Sequence, residues 1–123
     1  MPRRTYTVES ANALLPHLAP ALVELRDNFE KAARIRTRIE RAAAGNGWSA
    51  HRDDEQKAMA RVAELLDRLN EWGVELRDAS SGLIDFPAEI NGQEAYLCWR
   101  LGEPEVAYWH SPDDGFAGRR PLL

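Results

Sequence analysis

Gly82-Leu-Ile-Asp-Phe-Pro-Ala-Glu-Ile-Asn-Gly-Gln-Glu-Ala-Tyr-Leu-Cys-Trp-Arg-Leu-Gly-Glu-Pro-Glu-Val-Ala-Tyr-Trp-His110 reads as three short antiparallel strands whose turns set their register. Asn91-Gly92 is the strongest short hairpin signal in the chain. Closing Ile90 onto Gln93 around it pairs Phe86 with Leu97, Asp85 with Cys98 and Ile84 with Trp99. A three-residue loop at Gly102-Glu103-Pro104, closing Leu101 onto Glu105, then sets Trp109 opposite Leu97, Tyr108 opposite Cys98, Ala107 opposite Trp99 and His110 opposite Tyr96. Because strand side chains alternate between faces, Ile84, Phe86, Leu97, Trp99 and Trp109 form an apolar face. Asp85, Tyr96, Cys98, Arg100, Tyr108 and His110 collect on the other.

Ahead of this sheet the composition changes sharply at Gly73, from alanine, leucine and alternating charge to strand-type residues. Helices followed by strands predict an α+β fold: a long antiparallel helical hairpin packed on a small antiparallel meander of about three strands. Thr7 caps a helix starting at Val8, with Ser10 standing where a full capping box wants Glu or Gln. Pro16 and Pro20 predict a break, giving a short helix at about 8–15 and a long one starting between 17 and 21 and running to about Ala44. Leu18, Leu22, Leu25, Phe29, Ala32, Ile35, Ile39 and Ala42 form its apolar stripe, and Gly45-Asn46-Gly47 ends it. A second helix, from about Asp53 to Trp72, carries Met59, Val62, Leu66 and Leu69 on one side, flanked by Ala58, Leu65 and Trp72. Gly73 stops it, Val74-Glu-Leu-Arg77 predicts a further short strand, and the segment after His110 reads as a turn-rich tail.

The chain of 123 residues is the length of one domain, expected to span 1–123 with a helical part at about 7–72 and a β part at about 73–123. A net charge of −4 disfavours a general nucleic-acid-coating role. Cys98 is the only cysteine, so an intrachain disulfide is excluded. The polar start and the lack of a long apolar run predict a cytoplasmic protein with no membrane span.

On the polar face, Asp85, Cys98 and His110, with Glu103 as a fourth ligand, offer the carboxylate, thiolate and imidazole that zinc or iron accepts. The simpler alternative pairs Asp85 with Arg100 and leaves Cys98 as a small buried hydrophobe. Cys98 and His110 are also the residue types of a small cysteine- and histidine-dependent enzyme, although the register sets them only diagonally. Tyr96, Arg100 and Tyr108 would hold an anionic or aromatic small ligand on the same face. Lys31, Arg34, Arg38 and Arg41 share one side of the long helix and read chiefly as a solvated face. The helical stripes and the four tryptophans predict self-association, a dimer above all, which leaves an oligomerising scaffold or adaptor as the rival function.

Thr5-Tyr-Thr-Val-Glu-Ser-Ala-Asn-Ala-Leu-Leu-Pro16, Gly82-Leu-Ile-Asp-Phe-Pro87, Tyr96-Leu-Cys-Trp-Arg-Leu-Gly-Glu103, Tyr108-Trp-His110 and Gly115-Phe-Ala-Gly-Arg119 carry a resemblance over nearly the whole length. In these motifs the chain resembles a family of small bacterial proteins classed as a domain of unknown function. The resemblance implies a bacterial cytosolic protein and supplies no activity. Ser10 departs from the acidic residue expected in that family's capping position.

Overall fold

The computed structural model describes residues 4–42 and 48–122. Two helices, α1 (Val8–Ala42) and α2 (Trp48–Trp72), precede five strands: β1 (Glu75–Asp78), β2 (Leu83–Ile90), β3 (Gln93–Arg100), β4 (Tyr108–His110) and β5 (Arg120–Pro121). The strands form one antiparallel meander in the order β1-β2-β3-β4-β5. The α+β class and the helical hairpin hold, β1 falls on the short strand expected at 74–77, and β5 extends the sheet further.

The expected break in the first helix does not occur. α1 runs unbroken through Pro16 and Pro20. A proline removes the bond to the carbonyl four residues earlier, here those of Asn12 and Pro16. Both prolines are exposed, so the deprived carbonyls lie toward solvent, while Ala11, Leu18 and Leu22 are buried on the face that holds the helix in place. Thr7 and Ser10 close its N-terminus reciprocally: the Ser10 N–H donates to Thr7 Oγ1 at 3.0 Å and the Thr7 N–H to Ser10 Oγ at 2.9 Å. Ser10 thus does the work usually given to Glu in a capping box.

The buried side of α2 is one residue away from the expected stripe. Ala58, Val62, Leu65 and Leu69 are buried, whereas Met59 and Leu66 are 42% and 40% exposed. Along α1, Leu18, Leu22, Leu25, Ala32 and Ile35 are buried as the periodicity implies, but Phe29 is 49% exposed. α2 also begins earlier than expected, at Trp48, and the Gly45-Asn46-Gly47 turn lies outside the described residues. Arg61 clamps the hairpin through a two-pronged contact with Glu24, at 2.6 and 2.9 Å.

The β2–β3 register is the one set by Asn91-Gly92, with Ile84, Asp85 and Phe86 opposite Trp99, Cys98 and Leu97. Both turn residues have positive φ, 54° and 77°, as a tight hairpin of this type requires. On β4, Tyr108, Trp109 and His110 face Cys98, Leu97 and Tyr96. The ladder stops there. Ala107 does not join it opposite Trp99, because its carbonyl accepts the Leu122 N–H at 2.9 Å and the Trp99 indole donates to the Glu103 carbonyl at 3.1 Å.

The apolar face of the sheet packs on the hairpin. Leu18, Leu22, Leu25, Leu65 and Leu69 meet Ile84, Phe86, Leu97 and Trp99 in one core, with Trp109 at its margin. The residues before α1 join this core: Tyr6 stacks edge-on against Phe86 at 5.0 Å, and its hydroxyl donates to the Trp72 carbonyl at 2.5 Å. The Tyr6 N–H donates to the Pro87 carbonyl at 2.7 Å, and Asn12 Oδ1 accepts the Val106 N–H at 2.7 Å. These contacts fix the hairpin against one face and leave the other to the site.

Candidate functional site

Strand pleat and register bring Asp85, Cys98 and His110 together on the face turned away from the hairpin. Asp85 stands between Glu75 on β1 and Cys98 on β3, and Cys98 in turn faces Tyr108 on β4. Asp85 and His110 are 2% exposed and Cys98 1%. This burial was not expected of a polar sheet face, and residues 112–116 cover part of it. Between that segment and the sheet lies a cavity of about 330 Å³, lined by Arg77, Leu83, Asp85, Cys98, His110 and residues 112–116.

Asp85 Oδ2 accepts two bonds, from Arg77 Nε at 2.8 Å and from His110 Nε2 at 2.9 Å. His110 Nδ1 lies 2.8 Å from the Ser111 carbonyl. A carbonyl only accepts, so Nδ1 carries hydrogen, and a proton must also lie between Nε2 and the Asp85 carboxylate. Asp85 Oδ1 is buried with no partner. Beside it, burial and then the Asp85 charge push the Cys98 thiol up to about 12. One ligand atom from each of Asp85, Cys98 and His110 lies within 4.8 Å of the other two.

Arg77 is the residue missed from sequence. The β1–β2 register shifts between Leu76 and Asp78, which is where a bulge re-aims a side chain. Its guanidinium binds Asp85 and lies 5.1 Å from the Tyr96 ring, while Tyr96 stacks on His110 at 5.4 Å. Arg77 therefore takes the place expected for Arg100. The Arg100 guanidinium lies over Phe116 at 5.4 Å, and the Arg100 backbone N–H donates to Glu103 Oε1 at 2.8 Å. Alternation from Glu75, which pairs with Asp85, was the available signal for Arg77.

The other sequence candidates are dispersed. Glu103 Oε2 accepts Arg119 Nη2 at 2.5 Å, and the same guanidinium lies over the Tyr108 ring at 3.7 Å and the Phe116 ring at 4.8 Å. Glu103 and Tyr108 thus hold the C-terminal segment down, and Glu103 is not in the cluster formed by Asp85, Cys98 and His110. Tyr96, Arg100 and Tyr108 each have a different partner and do not converge on one ligand position. Lys31, Arg34, Arg38 and Arg41 are exposed along α1 and take no part in lining this cavity.

Fold and site together define an α+β domain that buries an Asp-Cys-His cluster on the outer face of its sheet. No helix among the described residues is long and apolar enough to cross a membrane. The chain belongs to the family described as Uncharacterized conserved protein (DUF2203), whose model matches residues 4–122. It matches no curated protein and no solved structure.

Proposed function

We propose that this protein binds a divalent metal ion, zinc or iron, through Asp85, Cys98 and His110. The observation that carries the reading is the buried, unpartnered Oδ1 of Asp85 beside a thiol and an imidazole that reach the same small volume. A carboxylate oxygen sealed from water without a donor is costly, and a cation offsets that cost directly. The surroundings suit this role. The Nδ1–H bond to the Ser111 carbonyl orients the ring with Nε2 inward, as the outer partners of ligating histidines do, and Arg77 steadies the carboxylate. On binding, the ion would displace the proton shared by His110 and Asp85 and the proton on Cys98.

Covalent chemistry at Cys98 has less support, since a thiol pushed up to about 12 is a poor nucleophile and His110 Nε2 is engaged by Asp85. A second reading, homodimeric assembly through the hairpin, draws on the exposure of Phe29, Met59 and Leu66. Light scattering over a range of concentrations tests it, and a strict monomer refutes it.

Elemental analysis of untagged protein tests the metal reading. About one ion per chain is expected in wild type, with large losses in Cys98→Ser, His110→Ala and Asp85→Asn and unchanged helical circular dichroism. Wild-type protein that stays metal-free after growth in zinc- and iron-supplemented medium refutes it.

A further inference from the structure

We propose that the cavity beside the cluster takes a free α-amino acid as a co-ligand of the ion, its carboxylate toward Arg77 and the ion and its ammonium toward Asp113 and Asp114. This rests on the metal reading and adds the chemistry of the small molecule that completes the site.

Asp85 and a metal-bound Cys98 thiolate neutralise a divalent ion, which leaves the Arg77 guanidinium in excess. Glu75 does not absorb that excess fully: its carboxylate is 3.7 Å from Arg77 Nη2, beyond hydrogen-bond distance, and both side chains are substantially exposed. With Nε committed to Asp85, the terminal nitrogens of Arg77 keep donors for a planar carboxylate. Three protein ligands also leave a tetrahedral ion one position short, as in metal sites that accept a small molecule.

A simple anion would satisfy that side alone, yet the covering segment brings Asp113 and Asp114 to the same cavity. Ser111 Oγ donates to Asp114 at 2.8 Å and Arg120 approaches it at 3.8 Å, so the pair of carboxylates is only partly compensated. Two acidic groups alone would define nothing. They share a cavity with the buried Asp85, the residue whose unpartnered oxygen carries the metal reading, so ion, guanidinium and acidic groups border one space. Leu83 and Phe116 supply apolar wall, and about 330 Å³ lies at the small end of ligand pockets. Cation on one wall, carboxylates on another and an apolar flank match a zwitterion with a short side chain.

Cobalt-loaded protein supplies the test, because the visible bands of the ion respond to a change of ligand. L-alanine, propionate and propylamine are titrated separately. L-alanine is expected to shift the bands and to bind at least about tenfold tighter than propionate, while propylamine leaves them unchanged. The double variant Asp113→Asn, Asp114→Asn should bring L-alanine down to the level of propionate with cobalt stoichiometry intact. Equal affinity for L-alanine and propionate, or a double variant that binds L-alanine as wild type does, overturns the amino-acid inference and leaves the metal site standing. Failure to take up cobalt overturns the metal reading and this inference with it.

Discussion

Ionisation of Cys98 in the metal-free protein measures how completely the outer face of the sheet is sealed. Burial is the main cause that raises the thiol from an ordinary value near 9.0 to about 12. Below pH about 9 the thiol is protonated in folded and unfolded chains alike, and its stabilising contribution is fully present. Between about 9 and 12 only the unfolded chain releases the proton, so stability falls with rising pH at about 1.4 kcal/mol per unit. From pH about 8.5 to about 10.5 the loss is about 2 kcal/mol. Tyr6, also raised by burial, adds a slope of its own, so the informative quantity is the difference between wild type and Cys98→Ala. Urea unfolding in the presence of a chelator, followed by circular dichroism across this range, should show wild type losing about 2 kcal/mol more than the variant. Parallel pH profiles would refute the reasoning, because they would mean that the folded chain ionises the thiol as readily as the unfolded one. Adding zinc should abolish the excess slope if the ion holds Cys98 as thiolate.

Glu103→Gln should loosen the C-terminal segment, because Arg119, which it holds, is only 12% exposed as a side chain; faster amide exchange over residues 111–122 and a loss of about 1–3 kcal/mol are expected. Leu66→Glu should fold nearly as wild type while Leu65→Glu should not, and comparable melting temperatures for the two would refute the assigned buried side of α2. Thr7→Ala should cost about 1 kcal/mol by thermal unfolding, since it removes the oxygen that accepts the Ser10 N–H.

The sheet was readable because one turn determines it. Asn91-Gly92 admits a single tight closure, and every pair from Ile84 to Trp99 then follows from the strand repeat of two. The α2 side was harder to read, as Val62 and Leu69 belong equally to a stripe through Met59 and Leu66 and to one through Ala58 and Leu65; only packing against α1 separates them. Pro16 and Pro20 each carry a helix-interior cost of about 3 kcal/mol, and the helix stays continuous because the core contacts of Leu18, Leu22 and Leu25 along it offset that cost. Asp85, Cys98 and His110 converged as alternation implied. Arg77 escaped notice because no tight turn fixes the β1–β2 register, so alternation from Glu75 had no anchor opposite Asp85. The role of Glu103 escaped for a different reason: its partner Arg119 lies in an irregular segment whose path no pattern of apolar residues encodes.

The sheet is one layer thick, and along β3 each residue of the site stands between two residues of the core: Cys98 is flanked by Leu97 and Trp99, as Asp85 on β2 is by Ile84 and Phe86. Variation by substitution and variation by length therefore meet opposite fates. A point change at Cys98 alters the chemistry and leaves its neighbours in the core. A single codon inserted before Leu97 would turn the strand over, driving Trp99 into the acidic cavity and the thiol into the helices. Lineages of this fold are free to retune the site one letter at a time, but β2 and β3 must keep their length while the loops around them drift.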